Sequence, residues 1–278
     1  MGQFSAGDNK PDCLLITGES GAGKSTVRKE FARQFPRREE DECTIIPVLH
    51  LEVPAMPTIK NVAERILIEL GDPFAERGSA EGKTSRIITL METCGVRLVI
   101  LDEFQHFVDR ASDKVDYKVA DWLKYIINAS KVPFVLMGLP RCERIVELNE
   151  QLRRRFLPRI ALTRFAIDSL EGRRQLAGVL RSLERNLPGG MTSVFTDKLM
   201  IARIYYATHG LMDHLMKLAS EAVRLALTEG KSRIDLEILQ RAFGNVIWGK
   251  ATDKGNPFHR DFVQRHLTKR GEPFYGYA

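Results

Sequence analysis

Residues 18–26 read Gly-Glu-Ser-Gly-Ala-Gly-Lys-Ser-Thr, and this stretch decides the fold. A glycine, four free positions and then Gly-Lys-Ser form the pattern of a phosphate-binding P-loop. The apolar run at residues 13–17 predicts a buried strand before the loop, and residues 27–35 predict an amphipathic helix after it. A P-loop requires this order of strand, loop and helix, so the pattern favours a nucleotide site over a chance glycine-rich turn.

Each residue type in the loop has a chemical role. Glycines let backbone N–H groups close around phosphate oxygens, and the start of the helix adds partial positive charge. We expect Lys24 to reach the β- and γ-phosphates of ATP and the Ser25 hydroxyl to ligate Mg²⁺. The expected nucleotide-binding residues are Gly18, Glu19, Ser20, Gly21, Ala22, Gly23, Lys24, Ser25 and Thr26, together with Asp102 of a second motif.

The second motif, at residues 97–103, reads Arg-Leu-Val-Ile-Leu-Asp-Glu and has the Walker B form, an apolar strand that ends in two acids. Asp102 is predicted to hold Mg²⁺, directly or through water. Glu103 is predicted to be the general base for the water that attacks the γ-phosphate. The adjacent glutamate favours hydrolysis by water, because a small-molecule kinase more often uses its acid to activate a substrate hydroxyl. The sequence therefore predicts an ATPase.

Composition is consistent with a cytoplasmic protein without a membrane partner. The 278 residues contain no apolar run of the roughly 20 residues that span a bilayer, and no signal peptide is visible. The cysteines lack metal-ligand spacing, which indicates thiols in a reducing compartment; they are Cys13, Cys43, Cys94 and Cys142. The net charge of +6 permits nucleic-acid binding without demonstrating it.

The pattern along the chain predicts two domains and a tail. Strands alternate with helices over residues 1–165, which predicts an α/β nucleotide-binding domain whose parallel sheet is covered on both faces. Residues 166–246 show helical periodicity alone and predict a small helical domain. Periodicity weakens over residues 247–278, where aromatic and basic residues mix, and we expect this tail to dock on a neighbour or to be ordered by a partner.

An α/β nucleotide domain followed by a helical domain resembles the AAA+ ATPases. The resemblance implies an α/β fold: an AAA+ P-loop NTPase with a parallel sheet core and a C-terminal all-helical lid domain. It also implies a site shared between subunits, in which a neighbour's arginine reaches the γ-phosphate. Residues 151–156 read Gln-Leu-Arg-Arg-Arg-Phe, and the closing Arg-Phe resembles the arginine-finger segment. Arg155 matches best and Arg154 second, while a solvated basic turn or a DNA-facing patch stays open.

More narrowly, the chain resembles the TniB/TnsC group of transposition ATPases over most of residues 14–229. The resemblance implies an ATP-dependent regulator that polymerises on duplex DNA as a ring or helical filament. It further implies that the homo-oligomer links a target-selector protein to a transposase and is itself no nuclease. The segments that carry it are the P-loop, Leu-Asp-Glu-Phe-Gln-His-Phe at 101–107, Val-Leu-Met-Gly-Leu-Pro at 135–140, Gln-Leu-Arg-Arg-Arg-Phe-Leu-Pro-Arg at 151–159 and Gly-Leu-Met at 210–212.

Two departures from the AAA+ pattern concern residues that sense the nucleotide. Many members carry a polar residue at the end of the fourth strand, where residues 138–140 read Gly-Leu-Pro. Many also carry an arginine early in the lid helix, where Gly210 is followed by Leu-Met-Asp. We therefore expect slow hydrolysis and a role as a timed switch. The P-loop also lies close to Met1, which raises the expectation of a shortened N-terminus.

The expected DNA contacts are Arg110, Lys114 and Lys118, in the loop and helix start after Walker B. This region faces the central pore in AAA+ rings, and related transposition ATPases use it to follow the DNA backbone. Contacts of this kind give affinity without reading sequence. Acidic residues interleave with the basic ones, so a solvated mixed-charge segment stays open.

Three other functions also stay open at the level of sequence. A replication initiator or helicase loader would share the fold and the site. A P-loop small-molecule kinase would act as a monomer, which the paired acids, the arginine run and the helical domain oppose. A structural filament that binds ATP without hydrolysing it is opposed by Glu103 and favoured by the missing sensors.

Overall fold

The structure is a computed structural model that describes residues 11–41, 43–109 and 113–276, with only the backbone described at 113–116 and 198. The chain divides into two compact units. The first comprises the described residues up to Leu162 apart from Gly21–Gly23, and the second comprises Gly21–Gly23 and the described residues from Thr163 onward. None of the helices that the structure describes is long and apolar enough to cross a membrane.

A five-stranded parallel sheet forms the centre of the first unit. The strands of this unit are β1 (Leu14–Gly18), β2 (Arg38–Glu39), β3 (Thr44–Ile45), β4 (Val48–Glu52), β5 (Leu98–Asp102), β6 (Phe134–Gly138) and β7 (Arg159–Leu162). The order across the sheet is β4-β5-β6-β1-β7, and each neighbouring pair is parallel. The carboxyl ends of all these strands therefore lie at one edge, where α/β sheets bind ligands. β2 and β3 form a separate antiparallel pair.

Helices cover both faces of the sheet, as predicted. They are α1 (Lys24–Arg33), α2 (Ile59–Glu69), α3 (Ala80–Thr93), α4 (His106–Asp109), α5 (Asp113–Ser130), α6 (Glu143–Glu147) and α7 (Glu150–Arg155). Successive side chains of a strand point to opposite faces. In β5, Val99 and Leu101 belong to one buried apolar cluster, whereas Ile100 belongs to another. Strands buried on both faces read as continuous apolar runs, which is why the pattern was visible in the sequence.

The second unit is helical, as predicted, apart from one short strand pair. Its elements are α8 (Leu170–Arg185), β8 (Thr192–Ser193), α9 (Lys198–Thr208), α10 (Met212–Thr228), β9 (Arg233–Ile234) and α11 (Leu236–Val246). β8 and β9 pair in parallel over two residues each, which is too short for an alternating pattern to show in the sequence. The helices bury a separate core that includes Leu180, Leu218 and Phe243.

The C-terminal segment from residue 247 belongs to the core of the second unit. Phe258 and Phe274 are fully buried there, and Phe258 contacts Phe243 of α11 at a ring-centroid distance of 6.4 Å. Arg203 Nη1 of α9 donates hydrogen bonds to the carbonyls of Pro257 at 2.6 Å and His259 at 2.9 Å. The structure thus differs from the expectation of a tail ordered by a neighbour, because these aromatic residues already have partners in their own unit.

Phe258→Ala should lower the free energy of unfolding of the second unit by about 3–5 kcal/mol, because truncating a buried phenylalanine leaves a cavity. Tyr275→Ala, at an exposed position of the same segment, is the control and should change it by less than about 0.5 kcal/mol. Urea unfolding can be followed by Trp248 fluorescence in a Trp122→Phe background, since these are the two tryptophans of the chain. Equal stability of both variants would exclude the segment from the core.

Candidate active site at the carboxyl edge of the sheet

The P-loop connects β1 to α1 at this edge. β1 ends at Gly18 and α1 begins at Lys24. The φ angles of Gly21 and Gly23 are 79° and 99°, in the region that glycine adopts without strain. An added Cβ at Gly18 would lie 2.4 Å from the Leu162 carbonyl oxygen, so this position excludes a side chain. The first N–H groups of α1 have no partner within the helix and can bind an anion, which matches the expected phosphate site.

Lys24 lies buried over the loop. Its Nζ donates hydrogen bonds to the carbonyls of Gly18 at 2.7 Å and Glu19 at 2.9 Å. An ammonium group has three N–H donors, so one remains for a phosphate oxygen. Burial lowers the pKa of Lys24 below its usual value, and the charges of Glu103 and Asp102 partly oppose this shift. The loop thus holds its cation in place with its own carbonyl groups.

Asp102 ends β5 and is wholly buried. Its Oδ1 accepts a hydrogen bond from the Glu103 N–H at 2.9 Å, and Arg28 Nε lies 3.4 Å from Oδ2. Within the described part of the chain, Oδ2 accepts no hydrogen bond. A buried carboxylate oxygen without a hydrogen bond needs another partner, and hard cations such as Mg²⁺ take carboxylate ligands. This oxygen therefore fits the expected metal role of Asp102 together with the hydroxyl of Ser25, which is half-buried in the first turn of α1.

Glu103 has a φ angle of 58°, which is unusual for a residue with a side chain. Such a conformation costs about 1–3 kcal/mol and is concentrated at functional sites. Glu103 Oε2 accepts a hydrogen bond from Gln105 Nε2, and Gln105 Oε1 accepts one from the Leu139 N–H at 3.0 Å. His106 Nε2 lies 3.9 Å from the same Oε2, beyond hydrogen-bond reach. The carboxylate is thus fixed through one oxygen.

Sequence reasoning missed the roles of two residues at this edge, Arg28 and Gln105. Arg28 is buried on α1 and its Nη2 donates to Glu52 Oε1 at 2.6 Å, so it joins the ends of β4 and β5. A single arginine on an amphipathic helix carries no signal of such a role. Gln105 stood within the segment 101–107 that carried the family resemblance, and its position two residues after Glu103 was the available signal.

The arginine run differs from the expectation. Arg155 is 7% exposed, and its Nη2 donates to Asn128 Oδ1 inside the first unit. A buried, hydrogen-bonded guanidinium cannot reach a second molecule, so Arg155 is not placed to act as a finger. The Arg154 side chain is 75% exposed and pairs with Glu150 one turn earlier in α7. A surface pair of this kind contributes less than about 1 kcal/mol and is readily exchanged for another anion.

The expected DNA contacts are only partly described. Arg110 lies outside the described residues, and of Lys114 only the backbone is described. Lys118 is exposed on α5. Asp109, at the start of the same mixed-charge region, pairs with Arg141 at 2.7 Å between Oδ2 and Nη2, and this bond lowers the pKa of Asp109. One acidic residue of the region is thus engaged within the first unit.

Comparisons with known proteins place this fold. A family model described as bacterial TniB protein matches residues 5–166. The Aeropyrum pernix ORC2 protein (ADPNP-ADP complexes) is 15% identical with a TM-score of 0.62, covering 84% of this chain and 61% of that chain. The Aeropyrum pernix ORC1 protein in complex with DNA is 18% identical with a TM-score of 0.57, covering 86% and 60%. Cdc6p from Pyrobaculum aerophilum is 12% identical with a TM-score of 0.59, covering 87% and 62%.

The likeness to these solved structures concerns the fold, which is the AAA+ fold. The chain spans about three fifths of the length of each of them. No curated protein matches the chain.

Proposed function

The chain belongs to the TniB family, and on this premise we propose that it is an ATPase that assembles on duplex DNA and regulates transposition. In this proposal a homo-oligomer, a ring or a helical filament, links a target-selector protein to a transposase. Hydrolysis of ATP is slow and coupled to assembly.

One observation carries the proposal: β1 and β5 bring the P-loop and the Asp102-Glu103 pair to the same edge of one sheet. β6 lies between these two strands. At about 4.8 Å per strand the two motifs stand about 10 Å apart, which the triphosphate of ATP can bridge. The cation of Lys24 is at one end and the strained Glu103 is at the other.

The residues divide the work of hydrolysis. The P-loop N–H groups and Lys24 bind phosphate oxygens and neutralise their charge. Mg²⁺, held by Ser25 and Asp102, would add further charge compensation. Glu103 takes a proton from water through Oε1, the oxygen that Gln105 does not engage. The water oxygen then bonds to the γ-phosphorus as the bond to the β–γ bridging oxygen breaks, and ADP and phosphate are released.

The alternative of a replication initiator is not favoured by the comparisons. The ORC and Cdc6 structures are at most 18% identical to the chain, so they report a shared fold and no shared function. The small-molecule kinase and the non-hydrolysing filament are distinguished by Glu103. Its strained backbone and fixed carboxylate support a role in hydrolysis.

Lys24→Ala should abolish ATP binding, because the loop loses the cation that lies over its phosphate site. Lys29→Ala is the matched control, since Lys29 is exposed on the same helix. Glu103→Gln should keep ATP binding and lower the hydrolysis rate by about 10²–10⁴-fold. Titration calorimetry and phosphate release measure both effects. Wild-type affinity in Lys24→Ala would refute the site, and a wild-type rate in Glu103→Gln would refute the base.

Arg154 is the better candidate for the residue that completes a neighbour's site. This assignment replaces Arg155, whose side chain is buried against Asn128, and it is supported by the exposure of Arg154 at the end of α7. A guanidinium from a second subunit stabilises charge on the transferring phosphoryl group and makes hydrolysis dependent on assembly. Oligomer formation and turnover are then coupled.

Arg154→Ala should leave ATP binding intact and abolish assembly-dependent turnover. When Arg154→Ala subunits are mixed equally with Lys24→Ala subunits, about a quarter of the interfaces pair an intact P-loop with an intact arginine, so activity should return in part. Arg153→Ala, at the preceding exposed position, is the control and should keep its turnover. Absence of recovery at every mixing ratio would exclude a shared site built on Arg154.

DNA binding through α5 is the least constrained part of the proposal. It is supported by the exposure of Lys118 and by the basic residues that precede it in the sequence. Binding of this kind should be independent of DNA sequence and should weaken steeply with salt, because each neutralised phosphate releases counterions.

Lys114→Ala/Lys118→Ala should lower affinity for all duplex sequences alike and flatten the salt slope by roughly one unit per lost contact and subunit. Lys29→Ala/Lys60→Ala removes the same charge from exposed positions elsewhere in the first unit and is the control. Fluorescence anisotropy at several salt concentrations measures the slope. If the two double variants behave alike, α5 does not contact DNA.

A further inference from the structure

Gln105 connects Glu103 to the end of β6. It is 4% exposed, and both ends of its amide are engaged. Nε2 donates to Glu103 Oε2, and Oε1 accepts from the Leu139 N–H at 3.0 Å. Among the described residues, Gln105 supplies the side-chain hydrogen bond that the structure records to the Glu103 carboxylate.

The orientation of this amide is fixed by its partners. A backbone N–H can only donate, so the oxygen of the amide has to face Leu139. The NH₂ group then faces Glu103, whose carboxylate accepts. Because the amide is neutral, it orients the carboxylate without adding a positive charge that would weaken it as a base. The backbone reinforces the arrangement, since the Phe104 N–H donates to the Met137 carbonyl at 2.9 Å.

The absence of a side chain at Gly138 makes room for the amide. An added Cβ at Gly138 would lie 2.7 Å from Gln105 Oε1 and 3.1 Å from both the Gln105 N and Cys142 Sγ. A polar side chain at the end of β6 and the amide of Gln105 therefore cannot occupy this space together. Gly138 and Gln105 are two parts of one arrangement.

We propose that Gln105 is the positioning residue for the general base Glu103 and takes the place of a polar side chain at the end of β6. The amide holds Oε2 and leaves Oε1 directed to the attacking water. This inference rests on the proposed function, in which Glu103 activates that water. Gln105 contacts Glu103 and the backbone of β6, so it acts through Glu103.

Gln105→Leu keeps most of the side-chain volume and removes both hydrogen bonds. We expect its kcat for ATP hydrolysis to fall by at least about tenfold, a fraction of what complete loss of a general base removes, with KM and ATP affinity within about twofold of wild type. In the Glu103→Gln background the same substitution should have no further effect on the residual rate, because residues that act through one another are not additive.

Gly138→Ala tests the same arrangement without altering Gln105 or Glu103. The added methyl group displaces the amide, so kcat should fall as in Gln105→Leu. Gly178→Ala is the matched control, because an added Cβ at this helical glycine meets nothing within 4 Å. Thermal unfolding and calorimetric ATP affinity establish that each variant is folded and binds nucleotide.

The outcomes separate this inference from the proposed function. Loss of activity in Glu103→Gln with wild-type kcat in Gln105→Leu would overturn the role of Gln105 and leave the ATPase assignment standing. A higher kcat in Gln105→Leu would also overturn it, since the amide would then restrain Glu103. An additive loss in the double variant would make the effect merely structural. No hydrolysis by the wild type under any assembly condition would refute the proposed function itself.

Discussion

The buried carboxylate of Asp102 is the constraint on which the arrangement of this edge depends. A buried charge left without a partner costs several kcal/mol, so the fold has to bring compensation to the end of β5. It does so with the Glu103 N–H and with Arg28 of α1, which is held in turn by Glu52 at the end of β4. One oxygen of Asp102 still accepts no hydrogen bond from the described residues. The ends of two strands and a helix are thereby joined around a place suited to a cation.

The P-loop and Glu103 show the same economy on either side of Asp102. Lys24 is held by two carbonyls of its own loop and retains a donor for a phosphate oxygen. Glu103 is fixed through one oxygen and retains the other for a proton. Each group is thus oriented by the protein before nucleotide binds, which lowers the reorganisation needed at the moment of reaction. The short list of local contacts makes this edge, and no other described part of the first unit, the place for the chemistry.

The sequence predicted what is local and missed what depends on distant packing. The P-loop and the Asp-Glu pair are contiguous patterns, and the apolar strands are buried on both faces, so loop, acids and sheet were all visible. Arg155 was misassigned because its burial depends on Asn128, 27 residues earlier. The role of Gln105 depends on Leu139, 34 residues later. The buried phenylalanines after residue 247 follow no helical or strand period, so their place in the core could not be read from spacing.

The central claim is that this edge of the sheet binds ATP together with Mg²⁺, and titration calorimetry of the purified chain tests it most directly. Titration with ATP in the presence of Mg²⁺ should give saturable binding of one nucleotide per subunit. Removal of Mg²⁺ with EDTA should weaken that binding, because the phosphates and Asp102 would then face each other without a cation between them. Absence of saturable binding, or an affinity that does not change on chelation, would contradict the account.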